Sequence, residues 1–263
     1  MQQAFGYLRL GLRMLAFGAW TLFALGLFEL HALFADRRRR YIVLQPYLRA
    51  WARGCVLIFQ VRMETNSVPL PDSGTWLVVC NHRSPLDVVV LLHLFGGIVL
   101  SHAGVAQWPI IGLGARRVGV IFVNRSDRQS GARAVQLIRD CLRAGYMVSM
   151  FPEGTTFDGD EVRPFRKGFL RASEGLDVEI LPMGICYRAG DAFVQKNFLH
   201  HLLAVAVKPC IPISVACGKP ISRRHLNSED TTAVQASVQE LVYQARAAFD
   251  ARWKDDDPEI RMD

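Results

Sequence analysis

A β-branched, apolar run over residues 75–80 breaks at Asn81-His82-Arg83 and passes at once into Ser84-Pro85-Leu86-Asp87 and a second apolar run. This stretch restricts the fold tightly, because the first run reads as a buried strand and the second as a helix entered through a capping box. Ser84 takes the N-cap and Pro85 the first helical position. Asp87 lies three residues after the cap, where a carboxylate meets the positive end of the helix. Capping explains Asp87 fully and leaves His82 without a role. A neutral imidazole on a strand-to-helix turn can take a proton from an alcohol near pH 7, and a carboxylate one turn on can fix its tautomer and stabilise the imidazolium. Both roles of Asp87, cap and orienter of a base, stand at this point.

Two later runs repeat the pattern of a strand opening into a polar turn. Residues 147–150 lead into Phe151-Pro152-Glu153-Gly154-Thr155-Thr156, with the basic cluster Arg163-Pro164-Phe165-Arg166-Lys167-Gly168 behind it. The β-rich run 119–125 ends in Arg125. In a mainly parallel sheet such strand ends line one edge, where ligands bind. The other expected elements are a helix over 85–94, a strand near 98–100, and a helix from a Ser130 cap to Ala144 that stops at Gly145. Strands follow at 178–187 and 211–217, the second shortened by Pro212 to an edge. A last amphipathic helix, capped by Asp230, buries Val234, Val238, Leu241, Ala245 and Phe249, and the acidic end at 255–257 is a solvated tail. The fold class is α/β, a mainly parallel or mixed central sheet flanked by helices, behind an N-terminal two-helix membrane-associated segment.

That segment follows from where the apolar residues lie. They make up 51% of the 263 residues, high for a soluble enzyme, and the excess sits near the N-terminus. Residues 14–28 carry no charge, and only Glu29 and His31 interrupt the run before Ala35. Fifteen helical residues reach about 22 Å, short of the roughly 30 Å hydrocarbon core, so a span must carry Glu29 and His31 in or near lipid. Arg9 and Arg13 flank the run on one side and Arg37 to Arg40 on the other, which suits entry and exit on the same face. A second stretch, 46–59, sets Tyr47, Trp51, Cys55 and Phe59 against Arg49 and Arg53, as an interfacial helix does. A two-helix monotopic anchor is therefore expected in preference to a single pass, and a cleaved signal peptide is disfavoured because no small-residue site follows the run.

The net charge of +7, from 31 Lys and Arg against 24 Asp and Glu, suits anionic headgroups and phosphate-bearing substrates. Basic residues gather beside apolar helices rather than interleaving with exposed aromatics, which points away from nucleic acid. The six cysteines form no C-x-x-C pair and read as reduced core thiols. Cys80, beside Asn81, is the one near the chemistry, and a catalytic role for it is the weaker reading. Metal-ligand spacing is absent: His200 and His201 are adjacent and diverge on any regular element.

Taken in order, His82 with Asp87, the run 119–125, Phe151 to Thr156 and the strand Ile180-Leu181-Pro182-Met183 resemble the four blocks of the glycerolipid acyltransferase family, most closely its bacterial 1-acylglycerol-3-phosphate acyltransferases. The resemblance covers about residues 70–222. It implies that His82 acts as general base on a glycerol hydroxyl, with Asp87 orienting the imidazole, and that the hydroxyl attacks an acyl thioester carried by acyl-CoA or acyl-carrier protein. It implies a lysolipid acceptor bound near Asn81, with Arg125 on its phosphate, Gly154, Thr155 and Thr156 close by, and Arg166 and Lys167 as further phosphate or headgroup contacts. Glu153, acceptor-only when ionised, either holds Arg125 or a substrate hydroxyl or forms a structural ion pair. No cofactor beyond the acyl carrier is implied. Three regions follow: a membrane anchor over 1–63, an α/β acyltransferase domain over 64–225 entered through a linker at 64–73, and a C-terminal helix with tail over 226–263. The implied location is the cytoplasmic face of the inner membrane, against its phospholipids. One departure weakens the assignment of lysophosphatidate as acceptor. Members of the family often carry a lysine before the Trp-Pro pair, where this chain has Leu100-Ser101-His102-Ala103, so a lyso-ornithine lipid or another lysophospholipid competes as acceptor. A hydrolase using the same pair on water, and a lipid-binding protein without turnover, are the readings from other classes.

Overall fold

The computed structural model describes residues 2–34, 40–66, 75–108, 111–118, 120–124, 127–192, 203–227 and 231–253. Arg37, Arg38 and Arg39, most of the 64–73 linker, Gly119, Arg125, His200, His201, Asp230 and the acidic end lie outside the described residues. Among the described residues one eight-stranded sheet has the order β1-β7-β6-β2-β5-β3-β4, with β8 on β6. Its strands are β1 (Val61–Thr65), β2 (Trp76–Cys80), β3 (Ile98–His102), β4 (Ile121–Val123), β5 (Val148–Met150), β6 (Glu179–Tyr187), β7 (Ile211–Cys217) and β8 (Ile221–Ser222). The pairs from β6 through β4 are parallel, while β7 and β8 run antiparallel to β6. The sheet is therefore mixed and mainly parallel, and the ends of β2, β3, β4, β5 and β6 share one edge.

Both faces of β2 are buried, which explains its unbroken apolar run. Val78 and Cys80 face a core built with α2 (Arg40–Ile58) and α3 (Leu86–Leu94). Leu77 and Val79 face a second core under α5 (Arg128–Arg143), α6 (Gly168–Ser173) and the C-terminal helix α7 (Thr232–Trp253). Val234, Val238, Leu241, Ala245 and Phe249 of α7 are buried as their spacing requires. A Cβ at Gly184 would strike the backbone of Leu241 and Val242, so β6 needs glycine where α7 crosses it.

Several boundaries differ from the sequence reading. The expected linker opens as part of β1, which pairs in parallel with β7 from Val61↔Ile211 to Thr65↔Val215. That pairing makes β1 the edge and puts Pro212 in an interior strand. Ile211 donates its N–H to Gln60 O, so the next nitrogen points the other way, towards β6, and the β6 ladder starts only at Ile213↔Tyr187. The missing N–H of Pro212 therefore has no bond to lose. The cap of α5 is Asp127, which accepts from Gln129 N–H at 2.9 Å, while Ser130 Oγ accepts from Asn124 N–H. The helix α2 starts at Arg40, with Pro46 inside its second turn rather than at its head.

The N-terminal helix α1 (Gln2–Ala32) packs along α2. Trp20 Nε1 donates to Trp51 O and Trp51 Nε1 to Thr21 Oγ1, each at 3.0 Å. A Cβ on Gly54 would overlap the Trp20 ring. Gly54→Val is expected to force the two helices apart and cost about 1–3 kcal/mol, read as a lower melting temperature in detergent with membrane binding weakened. Both polar residues that interrupt the apolar run have protein partners: Glu29 pairs with Arg117 of the short helix α4 (Ile111–Arg117) at 3.5 Å, and His31 Nδ1 meets Tyr47 Oη at 2.8 Å. Arg9 and Arg13 are engaged by protein carbonyls. Arg13 is buried and donates to the carbonyls of Ala206, Lys208 and Pro209, and Arg9 to that of Val207. A bare apolar surface remains, with Leu8, Leu12, Leu15, Leu22, Phe23 and Leu30 of α1 and Leu57 of α2 exposed, while Arg49 and Arg53 of α2 are exposed as well. Over Phe5–Ala32 the helix is long and apolar enough to cross a membrane.

Candidate active site

His82 leaves β2 two residues past its end, at the sheet edge where β5 and β6 also finish. Its ring stacks on Phe151 with centroids 4.1 Å apart and planes 14° off parallel. Nδ1 lies 2.8 Å from Asp87 Oδ2. An ionised carboxylate only accepts, so Nδ1 carries the proton and Nε2 keeps the lone pair. Asp87, fully buried, also takes the N–H groups of Arg83 at 2.6 Å and Ser84 at 2.9 Å on the same oxygen. The carboxylate thus makes the cap contacts and the histidine contact together. Ser84 Oγ accepts from Leu86 N–H at 3.3 Å, and regular helix begins at Leu86 rather than Pro85. The other Asp87 oxygen accepts from Tyr187 Oη at 2.6 Å. Burial, reinforced by the Asp87 charge, pushes the Tyr187 phenol well above its ordinary value, so it remains a donor.

Asn81 faces the protein rather than a substrate. Its side chain bonds both Ile185 O and Ile185 N, each at 2.8 Å, tying the turn to β6. Glu153 is likewise spent internally. It accepts from His82 N at 2.6 Å, Arg163 N at 2.9 Å and Arg83 Nη1 at 3.0 Å, and is 5% exposed. Of its two expected roles the geometry is that of the structural ion pair, with Arg83 in the place proposed for Arg125. Arg83 also donates to Gly159 O at 2.7 Å, His82 O at 2.9 Å and Glu161 O at 2.8 Å, so one guanidinium fastens the segment after Thr156 to the histidine turn. The helix α7 holds that segment from behind. Gln239 brackets it through Val162 N and Asp160 O, and Arg246 forks onto the Asp160 carboxylate at 2.8 and 3.0 Å.

In front of His82 lies a cleft of about 600 Å³. Gly154, Thr155, Thr156, Arg166 and His102 line its polar part. Gly154 has φ +73°, and a Cβ there would press on Arg166 Nε at 2.8 Å, so glycine both makes the turn and lets the guanidinium lie across it. Arg166 is exposed, and it is the one Lys or Arg lining the cleft among the described residues, where no Asp or Glu lines it. Lys167 is exposed at the start of α6 and off the cleft wall. His102 Nδ1 accepts from Gly104 N–H at 3.0 Å, which leaves Nε2 as the donor nitrogen of the ring. Elsewhere the wall is apolar, with Phe17, Trp51 and Phe59 at the α1/α2 side and Val135, Ile138 and Met150 under α5. Cys80 is fully buried, and burial with the Asp87 and Glu153 charges pushes its thiol well above its ordinary value, which argues against a nucleophilic role.

Residues 61–186 match the family model described as Acyltransferase. The chain carries an acyltransferase-family domain. It is 36% identical over 141 residues to the lyso-ornithine lipid O-acyltransferase of Rhodobacter capsulatus, a match covering 52% of this chain and 50% of that protein. It is 26% identical over 174 residues to the 1-acyl-sn-glycerol-3-phosphate acyltransferase of Borreliella burgdorferi, covering 65% and 67%. The match to the first relative thus spans half its length. The crystal structure of the 1-acyl-sn-glycerophosphate (LPA) acyltransferase PlsC from Thermotoga maritima shares the fold, with a TM-score of 0.74 over 94% of this chain and 98% of that one at 17% identity. Three residues that build the site escaped the sequence reading: Arg83, Tyr187 at the end of β6, and Arg246 of α7. A faint signal existed for Tyr187, the one aromatic residue of an otherwise aliphatic strand and its last member.

Proposed function

We propose that this protein moves a fatty acyl group from acyl-CoA or acyl-carrier protein to the sn-2 hydroxyl of 1-acylglycerol-3-phosphate, giving phosphatidate. The observation that carries this reading is His82, bonded through Nδ1 to Asp87, at the wall of a mainly apolar cleft whose lining includes Arg166 and no carboxylate among the described residues. His82 Nε2 takes the hydroxyl proton as the oxygen attacks the thioester carbonyl. The C–O bond forms, the oxyanion collapses, the C–S bond breaks, and the leaving thiolate takes the proton from the imidazolium. Arg166 and Arg125 meet the acceptor phosphate. The bare apolar face of α1 and α2 rests in the bilayer as a monotopic anchor on the cytoplasmic side of the inner membrane, so the lysolipid acceptor reaches the cleft without leaving the membrane.

A second acceptor, a phosphate-free lyso-ornithine lipid, is favoured by the Rhodobacter relative and by His102 in place of a lysine. The test is to incubate the purified protein with labelled acyl-CoA and each lysolipid and to weigh the products. With lysophosphatidate as acceptor, Arg125→Ala is expected to lower kcat/KM at least about tenfold. Acylation of lyso-ornithine lipid with lysophosphatidate ignored would replace the acceptor and keep the chemistry. Release of free fatty acid without any acylated lipid would make the protein a hydrolase.

A further inference from the structure

Strand β6 runs past its neighbour. Its ladder with β2 ends at Cys80↔Met183, and four more residues carry it to Tyr187, over the turn that bears His82. The overhang is held from two sides, by the Asn81 side chain on the Ile185 backbone and by Arg246 Nη2 on Tyr187 O at 2.8 Å. Its last side chain is buried, meets the Ser84 side chain and reaches Asp87 Oδ1, the oxygen other than the one that takes His82 Nδ1 and the N–H groups of Arg83 and Ser84. The two Asp87 oxygens are therefore served by different elements: Oδ2 by three donors of the turn, Oδ1 by β6. A carboxylate gripped on one oxygen alone is free to rock about that grip. A second short bond on the other oxygen fixes its plane, and with it the plane of the imidazole.

We propose that Tyr187 is a positioning residue for acyl transfer, its hydroxyl locking Asp87 so that the His82 lone pair stays aimed into the cleft. This rests on His82 acting as the base. A phenol that merely fills space in the core would leave turnover unchanged when its oxygen is removed, because phenylalanine fills nearly the same volume.

The test uses the full chain in detergent micelles with acyl-CoA and lysophosphatidate, or lyso-ornithine lipid if that is the acceptor found. Tyr187→Phe is expected to lower kcat by about tenfold or more, with KM for both substrates held within about twofold. On an Asp87→Asn background the same change is expected to cost no more than about twofold, because the charge it orients is already gone. Wild-type kcat in the single variant, or an undiminished tenfold loss on the Asn background, overturns the proposal. Should Tyr187→Phe fail to fold, a fluorinated tyrosine at 187 keeps the ring and alters only the donor. A change in kcat at constant melting temperature then supports the proposal, and an unchanged kcat overturns it. His82→Ala, measured alongside, separates the two readings: an active His82→Ala chain defeats the base assignment itself, whereas an inactive one beside a fully active Tyr187→Phe chain defeats only the role of Tyr187.

Discussion

His82→Ala is expected to lose on the order of 10³-fold or more in kcat, the upper part of the range for a positioned general base. The fold should survive. The ring is part-exposed at the cleft wall, so its removal opens no enclosed cavity and forfeits about 1 kcal/mol of stacking on Phe151. Asp87→Asn should fall by a similar factor, on the order of 10³, with the fold again intact. An asparagine oxygen in the place of Oδ2 can still accept from Arg83 N and Ser84 N, which preserves the entry to α3. What the amide cannot supply is the negative charge beside the imidazolium. Product formation followed by mass, with melting temperature and vesicle sedimentation as controls, reads both variants. A folded and fully active Asp87→Asn chain would reduce the residue to a cap and remove half of the catalytic assignment, leaving His82 to be judged by its own variant.

The parts of this site legible in the sequence are the local ones. Residues 75–87 encode a strand, a turn and a helix start within a dozen positions, so His82 and Asp87 meet by short-range geometry that patterning can reveal. The extent of β6 and the stripe of α7 were readable for the same reason. The partners across the sheet were not. Arg83 and Glu153 are 70 positions apart and Asp87 and Tyr187 100 apart, and nothing in either local pattern names the other. Order in the sheet was hidden too: the demotion of Pro212 to an edge failed because β1 occupies that edge, and the proline hides its missing donor in the gap before the β6 ladder begins. Arg9 and Arg13 have partners that their position could not reveal. In the sequence they are only a basic flank of an apolar run, and it is the fold that brings the carbonyls of residues 206–209 to them.

Arg83→Met is expected to be the most destabilising of these single changes, about 3–5 kcal/mol, because it leaves the Glu153 carboxylate charged and buried without a counter-ion. The side chains of the pair are 3% and 0% exposed, so water cannot take over the lost contact. The change also strips hydrogen bonds from the carbonyls of Gly159, His82 and Glu161. Urea unfolding in detergent, with a melting temperature lowered by about 10 °C, measures the loss. Glu153→Gln should cost less, about 1–3 kcal/mol, since the amide oxygen can keep either His82 N or Arg163 N while the charge on Arg83 loses its partner. The double variant Arg83→Met with Glu153→Gln should then lose clearly less than the sum of the two, because the second change removes the charge that the first one strands. Strict additivity would contradict the ion pair as the organising contact. Kinetics of Glu153→Gln discriminate further. If Glu153 only braces the turn beneath His82, the folded fraction keeps the wild-type KM for the acceptor and loses kcat as the His82 backbone loosens. A raised acceptor KM at unchanged kcat would instead put the carboxylate in contact with the substrate, against its 5% exposure and its three internal donors.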